Sequence, residues 1–546
     1  MDLYKPIVPS IANFFSMSKE MRIAKKVIKS FRLKPIRKSK QYILIEAFQT
    51  PSNRLGLSLF APIASRHFNA ELVAFYLMSF NKIRFIKEKI RFLFSIEKTL
   101  GCRSFLFFGS HESKHHEKSA SEWILTANSL PEFESLKYRG IVIGDLIYDV
   151  YLRRYREPTL ELSNANLRRI VSEFFQYFDS LYDLFLEKRV ACVCVSHTVY
   201  LLGLPSRMAA YFDVPAFQVT AESIYRINGE YTHAYTAFKQ YPEIFNSLPK
   251  EVQIQGKRLA KKRLEMRFAG YVGVDMNYST VSAYKNPENS ERILKCNSKP
   301  HILIAIHDFY DSPHSYGPNL YPDFYQWLLA LADVSRRTDY NWYIKTHPDV
   351  RGDGLSVIQS FIAQNPQFSL IPSSTSHHQL IEEGITLALT IFGSIAMEYP
   401  YLGKPVVNAS INNPHVRYDF SLSPRTVEEY ELLLSNLESL EAPINIDSIL
   451  EYYFIHNLYM LKSWFMVDYI LYFSEIGGPS RAYSWPIFEY YGNRDNSYSQ
   501  EQISLALTTF LSSHDTFLSR KHFRLDFLPN LIHQIEKLSP FDTWEI

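Results

Sequence analysis

Four segments in the second half of the sequence carry side chains that can bind phosphate or move a proton. They are His307-Asp308, Lys345-Thr346-His347, Gly393-Ser394 and the stretch from Glu398 to Lys404. Lysine and histidine donate charge-assisted hydrogen bonds to phosphate oxygens, so Lys345 and His347 are candidate phosphate ligands. A histidine also exchanges a proton near neutral pH, which makes His307 a candidate for proton transfer or for stabilising a leaving phosphate.

The residues around Gly393 extend this set. Gly393 and Ser394 precede an apolar helical pattern, where backbone N–H groups at a helix N-terminus can meet the same phosphate. Glu398 follows Ser394 by one helical turn, and its carboxylate can accept hydrogen bonds from ribose hydroxyls. Lys404 lies in a Gly-Lys-Pro turn and completes the set. Together these residue types predict a nucleotide site.

The apolar pattern predicts the scaffold that would position these segments. Short β-branched or aromatic runs alternate with longer helical patterns, which is typical of strand-helix-strand units and a parallel sheet. The predicted strands are 42–48, 104–110, 141–145, 191–196 and 215–220 in the first half, and 301–306, 341–346, 367–372, 387–391 and 405–409 in the second. Ligands bind beyond the carboxyl ends of such strands, so the residues that follow strands are the functional candidates.

The chain has 546 residues, which is longer than one hydrophobic core usually organises. Its length therefore favours two domains or more. The polar, proline-containing stretch 282–300 predicts a linker between two sheets. We therefore predict an α/β fold with two Rossmann-like domains facing a cleft. The predicted limits are a basic N-terminal segment 1–40, a first domain 41–296, a second domain 297–450 and a helical appendage 451–546.

Three motifs, in the order HDFYD, IKTHPD and IFGSIAMEYPYLGKPVV, resemble the C-terminal domain of capsule polysaccharide glycosyltransferases over roughly 300–425. The sequence is similar, more loosely, to bacterial polysialyltransferases, capsule Kdo transferases and teichoic-acid polymerases, all with the two-domain fold called GT-B. In those families the histidine of an His-Pro motif and a serine before the Gly-Lys-Pro turn bind the donor's phosphate. The resemblance implies this role for His347 and Ser394.

The first half resembles these enzymes less specifically, through YRGIVIGDLIYDVYLRR at 138–154 and the stretch 197–223. Related transferases place an acidic or histidine catalytic base where Glu222 follows a predicted strand, although the Glu-Glu-Gly or His-Gly of those relatives is replaced here by Ala-Glu-Ser. Asp145 is a second candidate base, because a carboxylate facing a closing cleft has its pKa raised. We assign His197 and Asp149 structural roles.

Composition and charge exclude several classes of function. No Asp-x-Asp follows a predicted strand and no Cys or His cluster has zinc spacing, so we expect metal-independent chemistry without a cofactor. The net charge of +3 comes with ten Lys or Arg against one Glu in residues 19–40, which is not the pattern of a nucleic-acid groove. An amphipathic helix in this segment could instead lie on an anionic membrane surface.

The sequence therefore predicts a glycosyltransferase that moves a sugar from a nucleotide-sugar donor, bound by the second domain, to a glycan or glycolipid acceptor, bound by the first. We expect it in the cytoplasm, with peripheral attachment to the inner face of the membrane. Two alternatives stay open: a sugar-nucleotide 2-epimerase, and a non-catalytic glycan-assembly protein with the same fold.

Overall fold

The computed structural model describes most of the chain as two compact units. The described residues are 11–31, 33–47, 50–78, 99–102, 104–109, 114–229, 232–271, 282–285, 291–346, 352–437, 440–442, 444–469, 472, 484–493, 498–523 and 531–538. Unit 1 is drawn from Met1–Tyr155, Glu161–Tyr235 and Leu461–Pro529. Unit 2 is drawn from Arg156–Leu160, Thr236–Met460 and Asn530–Ile546.

The described strands form one sheet in each unit and a small separate ribbon. Their bounds are β1 (Tyr42–Glu46), β2 (Glu71–Met78), β3 (Ser104–Gly109), β4 (Lys137–Tyr138), β5 (Ile141–Val142), β6 (Val190–Val195), β7 (Ala216–Val219), β8 (Ile224–Ile227), β9 (His301–Ile306), β10 (Asn341–Thr346), β11 (Phe368–Ile371), β12 (Leu387–Thr390) and β13 (Val406–Asn408).

The order of strands identifies both sheets as Rossmann-like. Within the described ranges, unit 1 has the order β3-β2-β1-β6-β7-β8, parallel except for β8, and unit 2 has the parallel order β11-β10-β9-β12-β13. Numbered within each unit, these are the orders 3-2-1-4-5-6 and 3-2-1-4-5 of doubly wound sheets. The predicted α/β class with two Rossmann-like domains is confirmed.

Helices connect the strands. Their bounds are α1 (Ile11–Ser30), α2 (Pro51–His67), α3 (Lys114–Ile124), α4 (Leu130–Glu134), α5 (Gly144–Tyr155), α6 (Ala165–Leu186), α7 (Gly203–Tyr211), α8 (Tyr241–Ser247), α9 (Lys250–Phe268), α10 (Phe324–Ser335), α11 (Gly352–Gln364), α12 (His377–Glu382), α13 (Ile395–Tyr401), α14 (Val427–Ser435), α15 (Ile446–Tyr453), α16 (Pro486–Asn493), α17 (Gln500–Ser512) and α18 (Leu531–Leu538). No described helix is both long and apolar enough to cross a lipid bilayer.

The sheet of unit 2 is buried on both faces, which explains its nearly continuous apolar strands. Ile302, Ile304 and Trp342 pack into one apolar cluster that includes residues of α10 and α11. Leu303 and Tyr343, one residue along, pack into a second cluster that includes residues of α13. Because side chains alternate across a strand, both faces must be apolar, and the sheet holds the carboxyl ends of its strands rigidly.

One predicted strand of the first half is corrected. The run IVIGD was predicted as a strand that ends before Asp145, but β5 covers only Ile141–Val142 and pairs antiparallel with β4, outside the main sheet. The helix α5 begins at Gly144 and places Asp145 in its first turn. Asp145 therefore does not directly follow a strand of the parallel sheet.

The compact units run differently from the predicted domain limits. The chain passes from unit 1 to unit 2 between Tyr235 and Thr236, before the boundary predicted near 297. The helical stretch predicted as an appendage at 451–546 is divided: Leu461–Pro529 returns to unit 1 and Asn530–Ile546 belongs to unit 2. Domains of this kind are assembled from segments distant in sequence.

Two apolar residues of the basic N-terminal segment, Ala24 and Phe31, pack inside unit 1. Ala24 is fully buried, and the ring of Phe31 meets that of Tyr491 in α16 at 6.2 Å between centroids. Lys26 and Lys29 are exposed. The exposed lysines are therefore available for the proposed membrane contact, whereas Ala24 and Phe31 are buried against other residues of unit 1.

Candidate functional site

In unit 2, the strand order reverses between β9 and β12, and two predicted site residues meet there. His307 follows β9, and its Nε2 lies 3.4 Å from the hydroxyl of Thr390 at the end of β12. The same hydroxyl accepts a hydrogen bond from the backbone N–H of Gly393 at 3.1 Å. A Cβ on Gly393 would lie 2.8 Å from that hydroxyl and 3.7 Å from the His307 ring, so glycine permits this close approach.

Aromatic packing fixes the orientation of the His307 ring. The ring stacks on Phe324 with centroids 5.2 Å apart and lies 4.6 Å from the ring of Phe392. An aromatic clamp of this kind lowers the number of orientations that the imidazole can adopt. His307 is therefore held at the point where doubly wound sheets bind their ligands.

A small pocket opens beside His307, and one of the side chains that line it is an arginine that the sequence did not indicate. Its lining includes His307, Asp308 and Arg156, together with residues of α11. The Arg156 guanidinium lies 4.0 Å from the ring centroid of Tyr310 and pairs with Asp353. Arg156 comes from Arg156–Leu160, a short segment of the first half that belongs to unit 2, so only the folded chain brings it to this site.

Lys345 lies near the carboxyl end of β10 and is almost entirely buried. Its ammonium donates a hydrogen bond to the backbone carbonyl of Ser373 at 3.0 Å, toward β11. Burial lowers the pKa of Lys345 to about 8. The ammonium can therefore lose its proton under mildly basic conditions, and a nearby anion would favour the charged form.

Glu398 lies in an environment that differs from the predicted ribose contact. Its Oε1 accepts hydrogen bonds from Arg267 Nε at 2.9 Å and Nη2 at 2.8 Å, and its Oε2 accepts one from the Tyr284 hydroxyl at 2.6 Å. Burial and this carboxylate raise the pKa of Tyr284. With 3% of Glu398 exposed, its contacts anchor α13 to α9, and the ribose role does not fit this placement.

The other donor-site residues are placed as follows. Ser394 is exposed, directly before α13, and its side chain makes no capping hydrogen bond to the described helix. Lys404 lies two residues before β13, at the amino edge of the sheet, opposite the edge that carries His307 and Gly393. Strands rise about 3.3 Å per residue, so Lys404 does not join them. His347 lies outside the described residues.

In unit 1, Asp145 forms a buried ion pair. Both of its carboxylate oxygens accept from the Arg207 guanidinium, which also donates to the backbone carbonyl of Val142 at 2.9 Å. His233 Nε2 lies 3.8 Å from the same carboxylate. A bidentate pair of this kind is a structural link between α5 and α7, which argues against Asp145 as a base.

Glu222 lies in the turn that joins β7 to the antiparallel β8 and is half-buried. Three side chains fix the backbone of this turn: Trp464 donates to the carbonyl of Thr220, Ser463 donates to that of Ala221, and Asn53 accepts from the Ala221 N–H, all at 2.9 Å. The turn stands at the carboxyl edge of the sheet, as predicted, and the base role of Glu222 stays a prediction.

The reversal of strand order in unit 1, between β1 and β6, carries a cluster of which the sequence had indicated only His197, and that in a structural role. Glu46 Oε2 accepts hydrogen bonds from the N–H and the hydroxyl of Ser196, both at 2.7 Å. The Ser196 hydroxyl lies 2.8 Å from Nδ1 of His197. Glu46 and Ser196 are buried, and His197 is exposed. The available signal was a lone carboxylate in an apolar strand, which is costly to bury.

Among the described residues, no group of three or more His, Cys, Asp or Glu side chains could hold a metal ion. The expectation of metal-independent chemistry stays a prediction.

No protein-family model and no curated protein matches the sequence. Several solved structures are similar to it. The β-Kdo 2,4 transferase KpsC of Thermosulfurimonas dismutans is 12% identical, with 52% of this chain and 87% of that chain covered and a TM-score of 0.31. The UDP-GlcNAc 2-epimerase of Neisseria meningitidis is 12% identical, with 76% and 99% covered and a TM-score of 0.22. Arabidopsis thaliana UGT89C1, complexed with UDP-L-rhamnose, is 12% identical, with 77% and 94% covered and a TM-score of 0.22. At these identities and TM-scores, the similarity does not extend to activity.

Proposed function

We propose that the chain is a glycosyltransferase that moves a sugar from a nucleotide-linked donor to a hydroxyl group of a glycan or glycolipid. The observation that carries the proposal is that each Rossmann-like unit holds hydrogen-bonding, titratable side chains where its strand order reverses. Unit 2 has His307 with Thr390 and Gly393, and unit 1 has Glu46 with Ser196 and His197. Transfer needs two such positions, one for each substrate, whereas epimerisation of a nucleotide sugar needs one.

The donor is assigned to unit 2 because its edge offers hydrogen-bond donors for phosphate. The imidazole of His307, the guanidinium of Arg156 and the exposed hydroxyl of Ser394 are of the right types. In a water-poor site these groups would stabilise the charge that develops on the leaving phosphate. The acceptor is assigned to unit 1, whose edge offers a carboxylate and an imidazole.

A nucleotide screen tests the proposal. The thermal unfolding of the purified full chain is measured with CMP, UDP, GDP and CDP and with their sugar conjugates. A nucleotide that binds should stabilise the folded state by about 2.7 kcal/mol at a hundredfold excess over Kd. The protein is then incubated with the nucleotide sugar and a candidate acceptor, and the reaction products are separated. Release of nucleotide that depends on the acceptor, together with a new glycoside on that acceptor, supports transfer, and conversion to an isomeric nucleotide sugar supports the epimerase. Absence of stabilisation by every nucleotide would support the non-catalytic alternative.

We expect His307→Phe to weaken binding of the stabilising nucleotide roughly tenfold to hundredfold. Phenylalanine keeps the stacking on Phe324 and Phe392 but removes the ring N–H, and a hydrogen bond to a charged group contributes about 1.5–3 kcal/mol. Calorimetric titration gives Kd, and the melting temperature without ligand checks the fold. Lys404→Met is the comparison variant and should keep the wild-type Kd, because Lys404 lies at the opposite edge of the sheet. The assignment is wrong if Lys404→Met loses affinity and His307→Phe does not.

Nucleotide affinity should also fall as pH rises above about 8. The pKa of Lys345 is lowered to about 8 by burial, so the free protein loses this positive charge above that pH. If the ammonium attracts the donor phosphate, binding above that pH requires Lys345 to take up a proton. Each further pH unit then weakens the affinity by up to about tenfold. Titrations between pH 7 and 9.5 measure the slope. Lys345→Met should be weaker at pH 7 and show no such slope; a flat wild-type profile would remove Lys345 from the phosphate site.

We infer action at the inner face of the cytoplasmic membrane, supported by the exposed Lys26 and Lys29 of α1. Each basic residue near an anionic surface contributes about 1 kcal/mol of attraction. Since Ala24 and Phe31 are buried in unit 1, this attachment would rest on charge and weaken at high salt.

A further inference from the structure

The hydrogen bonds of the Glu46-Ser196-His197 cluster determine where its protons lie. The Ser196 hydroxyl has one proton. It donates this proton in a hydrogen bond of 2.7 Å to Glu46, because an ionised carboxylate can only accept. The hydroxyl oxygen must then accept a hydrogen bond from His197, whose Nδ1 is 2.8 Å away. Nδ1 therefore carries the imidazole proton, and Nε2 carries the lone pair. The cluster selects the tautomer in which the outer ring nitrogen is basic.

We propose that His197 is the catalytic base of the transfer reaction, with Ser196 and Glu46 as positioning residues. This inference rests on the proposed function. The proton of the acceptor hydroxyl moves to Nε2 of His197 while the acceptor oxygen forms a bond to the anomeric carbon of the sugar. The bond from that carbon to the phosphate oxygen breaks, and its electron pair leaves with the nucleotide. The positive imidazolium is stabilised by the Glu46 carboxylate through the intervening hydroxyl.

The placement of the three residues supports the proposal. Glu46 ends β1, Ser196 and His197 follow β6, and these adjacent parallel strands mark the reversal of strand order in unit 1. Ligands of doubly wound sheets bind at this position. Glu46 and Ser196 are 2% and 3% exposed, whereas His197 is exposed, so substrate can reach His197 and not the two buried residues behind it.

A second feature of Glu46 is difficult to explain by structure alone. Among the described residues, Oε1 of Glu46 is buried and has no hydrogen-bond partner. A carboxylate that served only to hold Ser196 could be replaced by a neutral amide at lower cost, since amides satisfy the same hydrogen bonds. A role for negative charge beneath His197 gives the residue a reason to be Glu.

The surroundings of Glu46 predict the pH dependence. Burial raises the pKa of Glu46 to about 7, against the lowering effects of the Ser196 hydrogen bonds and of Arg54. Arg54 faces it from α2, His197 lies beyond Ser196, and Tyr235 connects to Ser196 through Gln218. When Glu46 is protonated, the Ser196 hydroxyl no longer has to point toward it, and the tautomer of His197 is not fixed. Turnover should therefore rise with pH and level off above about pH 7.

Kinetics of the full chain with the nucleotide sugar found in the screen test the proposal. His197→Gln should lower kcat by about 100-fold to 10,000-fold while leaving nucleotide Kd unchanged. Glu46→Gln, which keeps the hydrogen bonds to Ser196, should lower kcat on the order of tenfold to hundredfold and abolish the rise of activity toward pH 7. His514→Gln, an exposed histidine of unit 1, is the matched control and should keep the wild-type kcat.

A measurement without turnover separates this proposal from the proposed function. In ¹⁵N-labelled protein at pH 8, the ring of His197 should have its proton on Nδ1, and Ser196→Ala should shift the ring toward the other tautomer. A wild-type ring protonated on Nε2 overturns the proposal whether or not the chain transfers sugars. So does a His197→Gln variant that keeps full turnover while Glu222→Gln loses it, because the base would then be Glu222. Nucleotide binding tests the proposed function independently of both results.

Discussion

Replacing Arg267 with Met should lower the free energy of unfolding by about 3–5 kcal/mol. The guanidinium donates two hydrogen bonds to Oε1 of Glu398, and the two side chains are 12% and 4% exposed. Methionine fills a similar volume but leaves the Glu398 carboxylate in the interior with Tyr284 as its remaining partner. Because an unpaired buried charge costs more than a pair contributes, the loss should exceed that of an ordinary core substitution. Urea unfolding followed by circular dichroism measures it.

Two further variants make this result interpretable. Arg258→Met changes an exposed arginine on the same helix and should cost less than about 0.5 kcal/mol. Arg267→Met/Glu398→Gln removes the charge and keeps an acceptor for Tyr284, so it should recover much of the stability. If the double variant is as unstable as Arg267→Met, the loss comes from packing and not from the carboxylate. A nucleotide Kd unchanged in Glu398→Gln would further separate Glu398 from the ribose.

Replacing Glu46 with Gln should change the free energy of unfolding more favourably at pH 8 than at pH 4.5, and the difference between the two changes should be about 3 kcal/mol. The pKa of Glu46 is raised from 4.5 to about 7, so the folded protein binds more protons than the unfolded chain between these values. Wild-type stability must therefore fall as pH rises through this window, by roughly 1.4 kcal/mol per unit of pKa difference. Gln keeps acceptors for Ser196 and removes this loss. Urea unfolding at the two pH values measures the difference.

The control for this variant is Glu161→Gln, an exposed glutamate of unit 1, which should show no such pH dependence. An equal gain at both pH values would indicate that packing, and not ionisation, decides the effect. A variant that is more stable at pH 8 and less active would show that unit 1 carries a destabilising charge because the reaction needs it, as active sites often do.

The sequence predicted the strands of unit 2 well and those of unit 1 less well, for physical reasons. The runs HILIAI and NWYIKT are apolar on both faces, as strands between two layers of helices must be. The strand β2 was missed because the run Leu72–Met78 is continuously apolar without alternation, which fits a helix equally well. The four-residue β8 was missed because it is short and forms a hairpin edge.

Residues of the candidate site were predicted where they follow a strand, and missed where folding brings distant segments together. His307 and Gly393 were found because they come directly after apolar runs. Arg156 was not, because nothing local shows that a short segment of the first half joins unit 2. Asp145 was misplaced because a two-residue ribbon and a glycine-led helix resemble the end of a longer strand. Long-range pairings of this kind are not encoded in local periodicity.

The divided course of unit 1 also affects its synthesis. The outer edge of β8 is covered by the end of α17 and the segment that follows it: the N–H of Arg226 donates to the carbonyl of Thr516, and its guanidinium donates to the carbonyl of Phe510, 284 residues later. At about 5–20 residues per second, a ribosome needs on the order of 15–60 s to supply that segment. For this time the nascent chain presents an uncovered strand edge, which can pair with another chain. Chaperones would have to protect the first half of this protein until its own C-terminal segment arrives.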